Sequence, residues 1–444
     1  MTTPLPAGSA ESPQAIGVVG GGQLAWMLAA AARELDLPVL VQTPAADDPA
    51  TRLAASVVQA PLHDLEATRR LAARCRAVTF ENEWLDLEAL ATLAGEGVSF
   101  LPRLDSLRPL VNKHDQRRLL QRLGLPSPPW RLLADLLPQR LELERTGAVA
   151  APPADSHPLP SIAPVPLLPP GWRFPLMAKA ASGGYDGRGT RLLRDAADLD
   201  TLLAAVDPQQ WIVEAFVPFE QELSQLACRD SQGNVVSYPL VQTHQHHQVC
   251  DWVLTPASVS HPVQAYARNI AVSLLTAIDY VGVLSIELFF GADGLLVNEI
   301  APRTHNSGHV TIEACRTSQF GQQARIVAGL PMGPVDPLVP GALMVNLLGF
   351  DDRDAAADDG LHADLRDRLG ALPGATLHWY GKRQSSPGRK LGHLTLVLES
   401  VDARAREVEA MARLAEVREI WPLPWSGAAG DRPMGDRSEA TALS

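Results

Sequence analysis

The stretch AIGVVGGGQLAWMLAAAARELDLPVLVQT (15–43) constrains the fold more than any other part of the chain. An apolar run (15–20) leads into a glycine turn (21–23), a good helix former with apolar residues at helical spacing (24–36), and a second apolar run (38–43). Strand, helix, strand in that order opens a mostly parallel sheet with helices packed on it. AVTFENE (77–83) and GVSFLP (97–102) continue the series. The GGGQ turn suits either a phosphate or nucleotide approaching a helix start or a plain tight connection. It falls short of the G-x-G-x-x-G fingerprint, and neither a Walker sequence nor a convincing acidic ribose ligand is present.

The remaining length, 444 residues at 46% hydrophobic, is enough for two or three domains. The pattern divides into a loose leader (1–14), a first domain (15–111), a second (112–335), a third (336–422) and a flexible tail (423–444). NKHDQRRLLQRLGLPSPPW (112–130), a helix ended by Gly124 and Pro126, marks entry to the second domain. Residues 144–173 are too rich in proline for regular structure and are expected to form an exposed insertion.

A net charge of −12, from 50 acidic and 38 basic residues, argues against broad binding to nucleic acid or anionic membrane, so an anionic ligand must be met by a local patch. Cys75, Cys228, Cys250 and Cys315 show no CxxC spacing and read as structural free thiols. No secretory leader and no run of about 18 apolar residues is evident, which makes the cytoplasm the expected compartment.

Chemistry concentrates in four places. In KAASGGYDGRG (179–189), Lys179 ends a strand and a glycine-dense loop follows. A lysine holds phosphate as a point charge while mobile backbone N–H groups cover its other oxygens, so the loop reads as a lid, against a ligand-free surface hairpin that gives Lys179, Tyr185 and Asp186 no task. Glu287 and Glu299 flank the turn GADG (291–294). A hairpin centred on residue 293 pairs 287 with 299 and points both carboxylates to one face, a magnesium site, whereas a two-residue turn pairs 287 with 298. NEIAPRTHNSGHVT (298–311) is too densely polar to be explained by helix caps and reads as the lining of a cleft. WYGKRQSSPGRKLGH (379–393) clusters Lys382, Arg383, Arg389 and Lys390 at a turn, either a solvated basic loop or a phosphate clamp. HQHH (244–247) is read as a solvated loop, since consecutive histidines on an extended segment face opposite ways and lack spaced partners for zinc.

Taken together, SGGYDGRG, NEIAPRTHNSGH and HWYGKRQSSPGRKLGH, supported by GGGQL and VEAFVPFEQELS, resemble the ATP-grasp superfamily and, within it, the N5-carboxyaminoimidazole ribonucleotide synthetase family, over residues 15–422. The resemblance implies an α/β multidomain ATP-grasp fold with a Rossmann-like N-terminal domain and a small C-terminal domain. It implies a ligase in purine biosynthesis that makes carboxyphosphate from ATP and bicarbonate and carboxylates aminoimidazole ribonucleotide, using Mg²⁺ or Mn²⁺. A homodimer is implied, with a downstream mutase as a further partner. Carried over by residue, Lys113 and Lys179 contact nucleotide phosphates, Glu214 and Val217 form the adenine-side hinge, and Glu222 accepts from the ribose. Gly183, Gly184 and Gly187 belong to the covering loop, and Glu287 and Glu299 are the metal ligands. Tyr185, Asp186, Arg303 and His305 lie by the bicarbonate and imidazole, and Lys382 and Arg389 reach the 5′-phosphate. After YPLV (238–241) this chain reads QTHQHHQVCDW where many relatives carry an Asn and a His, so no role is carried onto that segment.

Overall fold

The computed structural model describes residues 15–136, 168–183, 189–354 and 360–425. The opening strand, Ile16–Val19, is buried at every residue and pairs in parallel with Val39–Thr43 on one side and Ala77–Phe80 on the other; Ser56–Gln59 extends the sheet beyond Val39–Thr43. Continuous apolar runs suit strands covered on both faces. The helix Gln23–Arg33 buries Ala25, Met27, Leu28, Ala29 and Ala32. The strand expected at 97–102 shrinks to one parallel bridge, Val78 to Phe100, since Pro102 has no N–H with which to extend the ladder.

A second, antiparallel sheet runs Trp130–Leu132, Trp211–Ala215, Leu176–Ala180, Thr190–Leu193. Leu199 and Leu202 of the helix Ala196–Ala205 cover it, along with Leu168 and Trp172 from the end of the proline-rich stretch. Most of that stretch lies outside the described residues. The glycine-dense loop connects two strands of this sheet: Gly183 takes φ +76°, and the Ala180 N–H donates to the Gly189 carbonyl at 2.7 Å. Gly184, Tyr185, Asp186 and Gly187 lie outside the described residues.

The third sheet has nine strands and crosses position 335 without a break: Val249–Thr255 pairs with Gly341–Leu348, which pairs with Lys390–Leu398 and so with Ala375–Trp379. Its other half carries Gln221–Arg229, Gly282–Gly291 and Gly294–Ala301. All four cysteines are buried free thiols, and burial pushes Cys75 up to about 11 and Cys315 up to about 12. Among the described residues, no helix is long and apolar enough to cross a membrane.

Candidate active site

The two antiparallel sheets face each other across a slot of about 170 Å³. Met177, Phe216, Val217, Phe219 and Phe289 make its apolar walls, with Phe219 and Phe289 stacked at 4.6 Å, a surface suited to a flat aromatic ring. Glu222 lies on the same wall. At the polar end, Lys179 Nζ sits 2.9 Å from Glu214 Oε2 and donates to Asn298 Oδ1 at 2.7 Å, while Arg117 Nε bonds Glu214 Oε1 at 2.5 Å. Burial would raise the Glu214 carboxyl, but Arg117 and Lys179 outweigh it and hold it at about 2. The Glu214 carboxylate, expected on the adenine-side hinge, is therefore the buried counter-ion of two cations. The cause is Arg117, whose place beneath this strand is set by the helix Lys113–Arg122 and has no local signal.

The hairpin register combines the turn of one alternative read from the sequence with the pairing of the other. The turn has two residues, with Gly291 opposite Gly294 and Leu288 opposite Val297, yet Glu287 faces Glu299. A bulge at Asn298 absorbs the difference of one residue. Bulges re-aim side chains, and here Asn298 and Glu299, adjacent in sequence, both reach the slot. Burial and then the neighbouring Glu299 push the Glu287 carboxyl up to about 7. Burial acts on Glu299 too, but is outweighed by Lys113, whose Nζ lies 2.5 Å from Glu299 Oε1, and the group is held below the usual carboxylate range. Two carboxylates of which one resists ionisation are a donor set for a hard divalent cation. Among the described residues no three His, Cys, Asp or Glu side chains gather at metal-ligand spacing, so such an ion would draw its other oxygens from phosphates and water.

A second and larger cleft, about 800 Å³, opens beside the slot. Gln23 and residues 81–84 of the first domain line one side, and Lys382 and the turn 386–389 the other. Lys382 and Arg389 thus line one cleft, with Lys382 Nζ held by the Lys390 carbonyl at 2.7 Å. Arg303 and His305 form the inner end. Arg303 makes a two-point contact with Glu83, Nε to Oε2 at 2.6 Å and Nη2 to Oε1 at 3.2 Å. His305 Nδ1 accepts from the Ser307 N–H at 3.3 Å and meets Ser307 Oγ at 2.8 Å, leaving Nε2 to carry the proton toward Glu287 Oε1, 3.4 Å away. Ser224, Ser285 and Ser307 form a buried hydroxyl cluster behind it. Burial, with Arg303 and Lys390 nearby, holds the His305 imidazole well below its ordinary range, so it is neutral at pH 7. His305, Asn306 and Lys390 line both cavities.

Several residues of the site escaped the sequence reading. Glu83 is one; Glu81 is another. Its carboxylate accepts from the Gly22 N–H at 2.6 Å and the Leu24 N–H at 3.1 Å, occupying the helix start that one reading of GGGQ gives to a phosphate. The tight-connection alternative is the one observed, with an internal carboxylate in place of a ligand. Gln245, Gln248 and Cys250, from the segment given no role, line the slot. The HQHH segment is no solvated loop: His244 stacks on Trp252 at 5.2 Å and His246 Nε2 meets the Pro424 carbonyl at 3.0 Å.

Two antiparallel sheets closing on a slot with a buried lysine and paired carboxylates define an ATP-grasp enzyme, and the ATP-grasp domain model matches residues 170–320. The ribonucleotide synthetase preATP-grasp domain matches 14–109, and the phosphoribosylaminoimidazole carboxylase C-terminal domain 342–407. The N5-carboxyaminoimidazole ribonucleotide synthase of Synechococcus elongatus is 46% identical over 94% of this chain and 98% of its own length, and that of Bacillus subtilis 33% identical over 88% and 94%. Among solved structures, the Thermus thermophilus synthetase superposes with a TM-score of 0.73 at 33% identity, covering 92% of this chain and 99% of that one. The Aspergillus clavatus synthase, solved with ADP and 5-aminoimidazole ribonucleotide, gives 0.74 at 30% identity, covering 91% and 98%. The chain belongs to the N5-carboxyaminoimidazole ribonucleotide synthase family.

Proposed function

We propose that this enzyme carboxylates 5-aminoimidazole ribonucleotide on its exocyclic amine, using ATP and bicarbonate and releasing ADP and phosphate. The observation that carries the reading is the junction of the two cavities at His305, Asn306 and Lys390, which puts a nucleotide slot and a ribotide-sized cleft in contact at one polar point.

In this reading the base lies between Phe289 and the 214–217 segment, with the ribose hydroxyls on Glu222 and the phosphates toward Lys179 and Lys113. Glu287 and Glu299 would hold a divalent cation, which would supply positive charge against the phosphates; bicarbonate oxygen displaces ADP from the γ-phosphorus, with Lys179 and Lys113 on the phosphates. The product, carboxyphosphate, is mixed-anhydride-like and lost to water unless the acceptor is at hand. Arg303, fixed by Glu83, offers its remaining N–H groups to the bicarbonate, and the neutral His305 donates from Nε2. Lys382 and Arg389 bind the ribotide phosphate, which brings the amine to the carboxyl carbon; the C–N bond forms, phosphate leaves and the amine gives up a proton. Tyr185 and Asp186 are assigned to the acceptor side of the covering loop. A homodimer and a cytoplasmic setting, with a mutase consuming the product, complete the reading.

The test is phosphate release with ATP and aminoimidazole ribonucleotide, with and without bicarbonate, set beside biotin and amino acids as acceptors. Release that needs both the ribotide and bicarbonate is expected; release driven by biotin or an amino acid would transfer the chain to another ATP-grasp activity.

A further inference from the structure

The end of the described chain contributes a side chain to the ribotide cleft. Trp425 lines it beside Gly388 and Arg389, and the residue is 37% exposed. Its backbone sits at φ +62°, a costly state for a bulky residue that persists where surrounding contacts impose it. Those contacts are specific. The ring lies 5.0 Å from His247 and 6.0 Å from His246, and the His246 imidazole also meets the carbonyl of the preceding Pro424 at 3.0 Å. His247 and Gln248 turn the hairpin beneath it at φ +48° and +65°. On its other side the indole packs on Gly388 so closely that a Cβ there would stand 2.6 Å from the ring. Gly388 itself takes φ +81°, donates to the Gly349 carbonyl at 2.9 Å, and is followed by Arg389, whose carbonyl accepts from the Gly349 N–H at 2.8 Å.

From this geometry we infer that Trp425 is a positioning residue for the ribotide phosphate: pressed between His247 and Gly388, it fixes the 386–389 turn in the form that presents Arg389 to the cleft. An arginine on a glycine turn loses conformational freedom when it binds an anion, and a turn held in advance lowers that cost. The inference rests on the function proposed above for this cleft.

The experiment compares wild type, Trp425→Ala and Trp425→Phe. The alanine variant should raise KM for aminoimidazole ribonucleotide roughly tenfold, about 1.4 kcal/mol, with kcat within twofold and KM for ATP unchanged. Competitive inhibition by ribose 5-phosphate should weaken by the same factor, and phenylalanine should restore most of both. In the same proteins without substrates, amide exchange at Gly388 and Arg389 should be faster in the alanine variant than in wild type. An unchanged KM, an equal loss for ATP, undiminished inhibition by ribose 5-phosphate, or unaltered exchange in the turn would each overturn the assignment. Faster exchange in a protein whose wild type shows no ribotide-dependent phosphate release would instead leave the contact standing and remove the proposed function.

Discussion

Removing the charge of Glu287 without changing its shape should stabilise the empty enzyme and disable the working one. In Glu287→Gln the side chain keeps its place opposite Glu299, but the burial penalty on the charge and, after it, the repulsion from Glu299, which together lift Glu287 from 4.5 to about 7, disappear. Holding that carboxyl ionised at neutral pH costs at most about 3 kcal/mol at 1.36 per pH unit. The side chain is 30% exposed, and solvent screening reduces the figure to about 1–2 kcal/mol. The sign follows from linkage: a carboxyl whose folded pKa is raised binds protons more tightly folded than unfolded, so stability falls as pH climbs from about 4.5 to 7 and stays low above it. Thermal unfolding of the metal-free proteins should therefore show no difference near pH 4.5 and a gain of several degrees for the variant at pH 8. With ATP and Mg²⁺ the order reverses: the variant needs more Mg²⁺ and loses roughly a hundredfold or more in kcat, the equivalent of about 3 kcal/mol of charge stabilisation. An advantage that is absent at pH 8, or equal at pH 5 and pH 8, would refute the raised carboxyl. Near-wild-type turnover and Mg²⁺ dependence would remove Glu287 from the metal site.

Arg389→Ala should raise KM for aminoimidazole ribonucleotide about tenfold while leaving KM for ATP nearly unchanged, because a charge-assisted bond is worth about 1.5–3 kcal/mol; steady-state kinetics on both substrates checks it. Arg117→Met should lower stability by about 3–5 kcal/mol in denaturant titrations, since it leaves the buried Glu214 with Lys179 alone and the Asn298 carbonyl without its donor. Glu83→Gln should weaken the two-point hold on Arg303 and lower kcat severalfold with little effect on KM for ATP; if both constants move together, the pair is structural.

What could be read from the sequence was whatever is decided locally. Ile16–Val19 and Val39–Thr43 announce themselves because strands buried on both faces must be apolar throughout. Lys179 stands out because a charged residue closes an apolar strand just before a glycine loop. The hairpin glutamates were found with their register open, since the bulge at Asn298 cannot be told from its flanking residues. Glu81 and Glu83 were missed, and the ion pairs of Glu214 went unread, for a different reason. ENE is an ordinary polar strand end, and nothing near it says that Glu81 will meet Gly22, 59 residues away, or Glu83 meet Arg303, 220 residues away. The burial of Glu214 likewise depends on Arg117, 97 residues earlier. Acidic partners of functional cations are invisible in one dimension because an exposed and a buried carboxylate are spelled alike.

Those unseen carboxylates also explain how an acidic chain gathers cations around anionic substrates. Glu83 holds Arg303 by two of its nitrogens, and Glu214 anchors both Arg117 and Lys179 at the polar end of the slot. A buried cation needs a partner, but one matched too completely has no charge left for a ligand. The arrangement resolves this by giving Glu214 two cations rather than one. Between the cavities the same balance is struck without charge: His305 is kept neutral by burial and by Arg303 and Lys390, and its tautomer is set by Ser307. A protonated imidazole there would pair with Glu287, 3.4 Å away, and compete with the metal for it. A neutral one brings no positive charge to that carboxylate and leaves its charge to the cation.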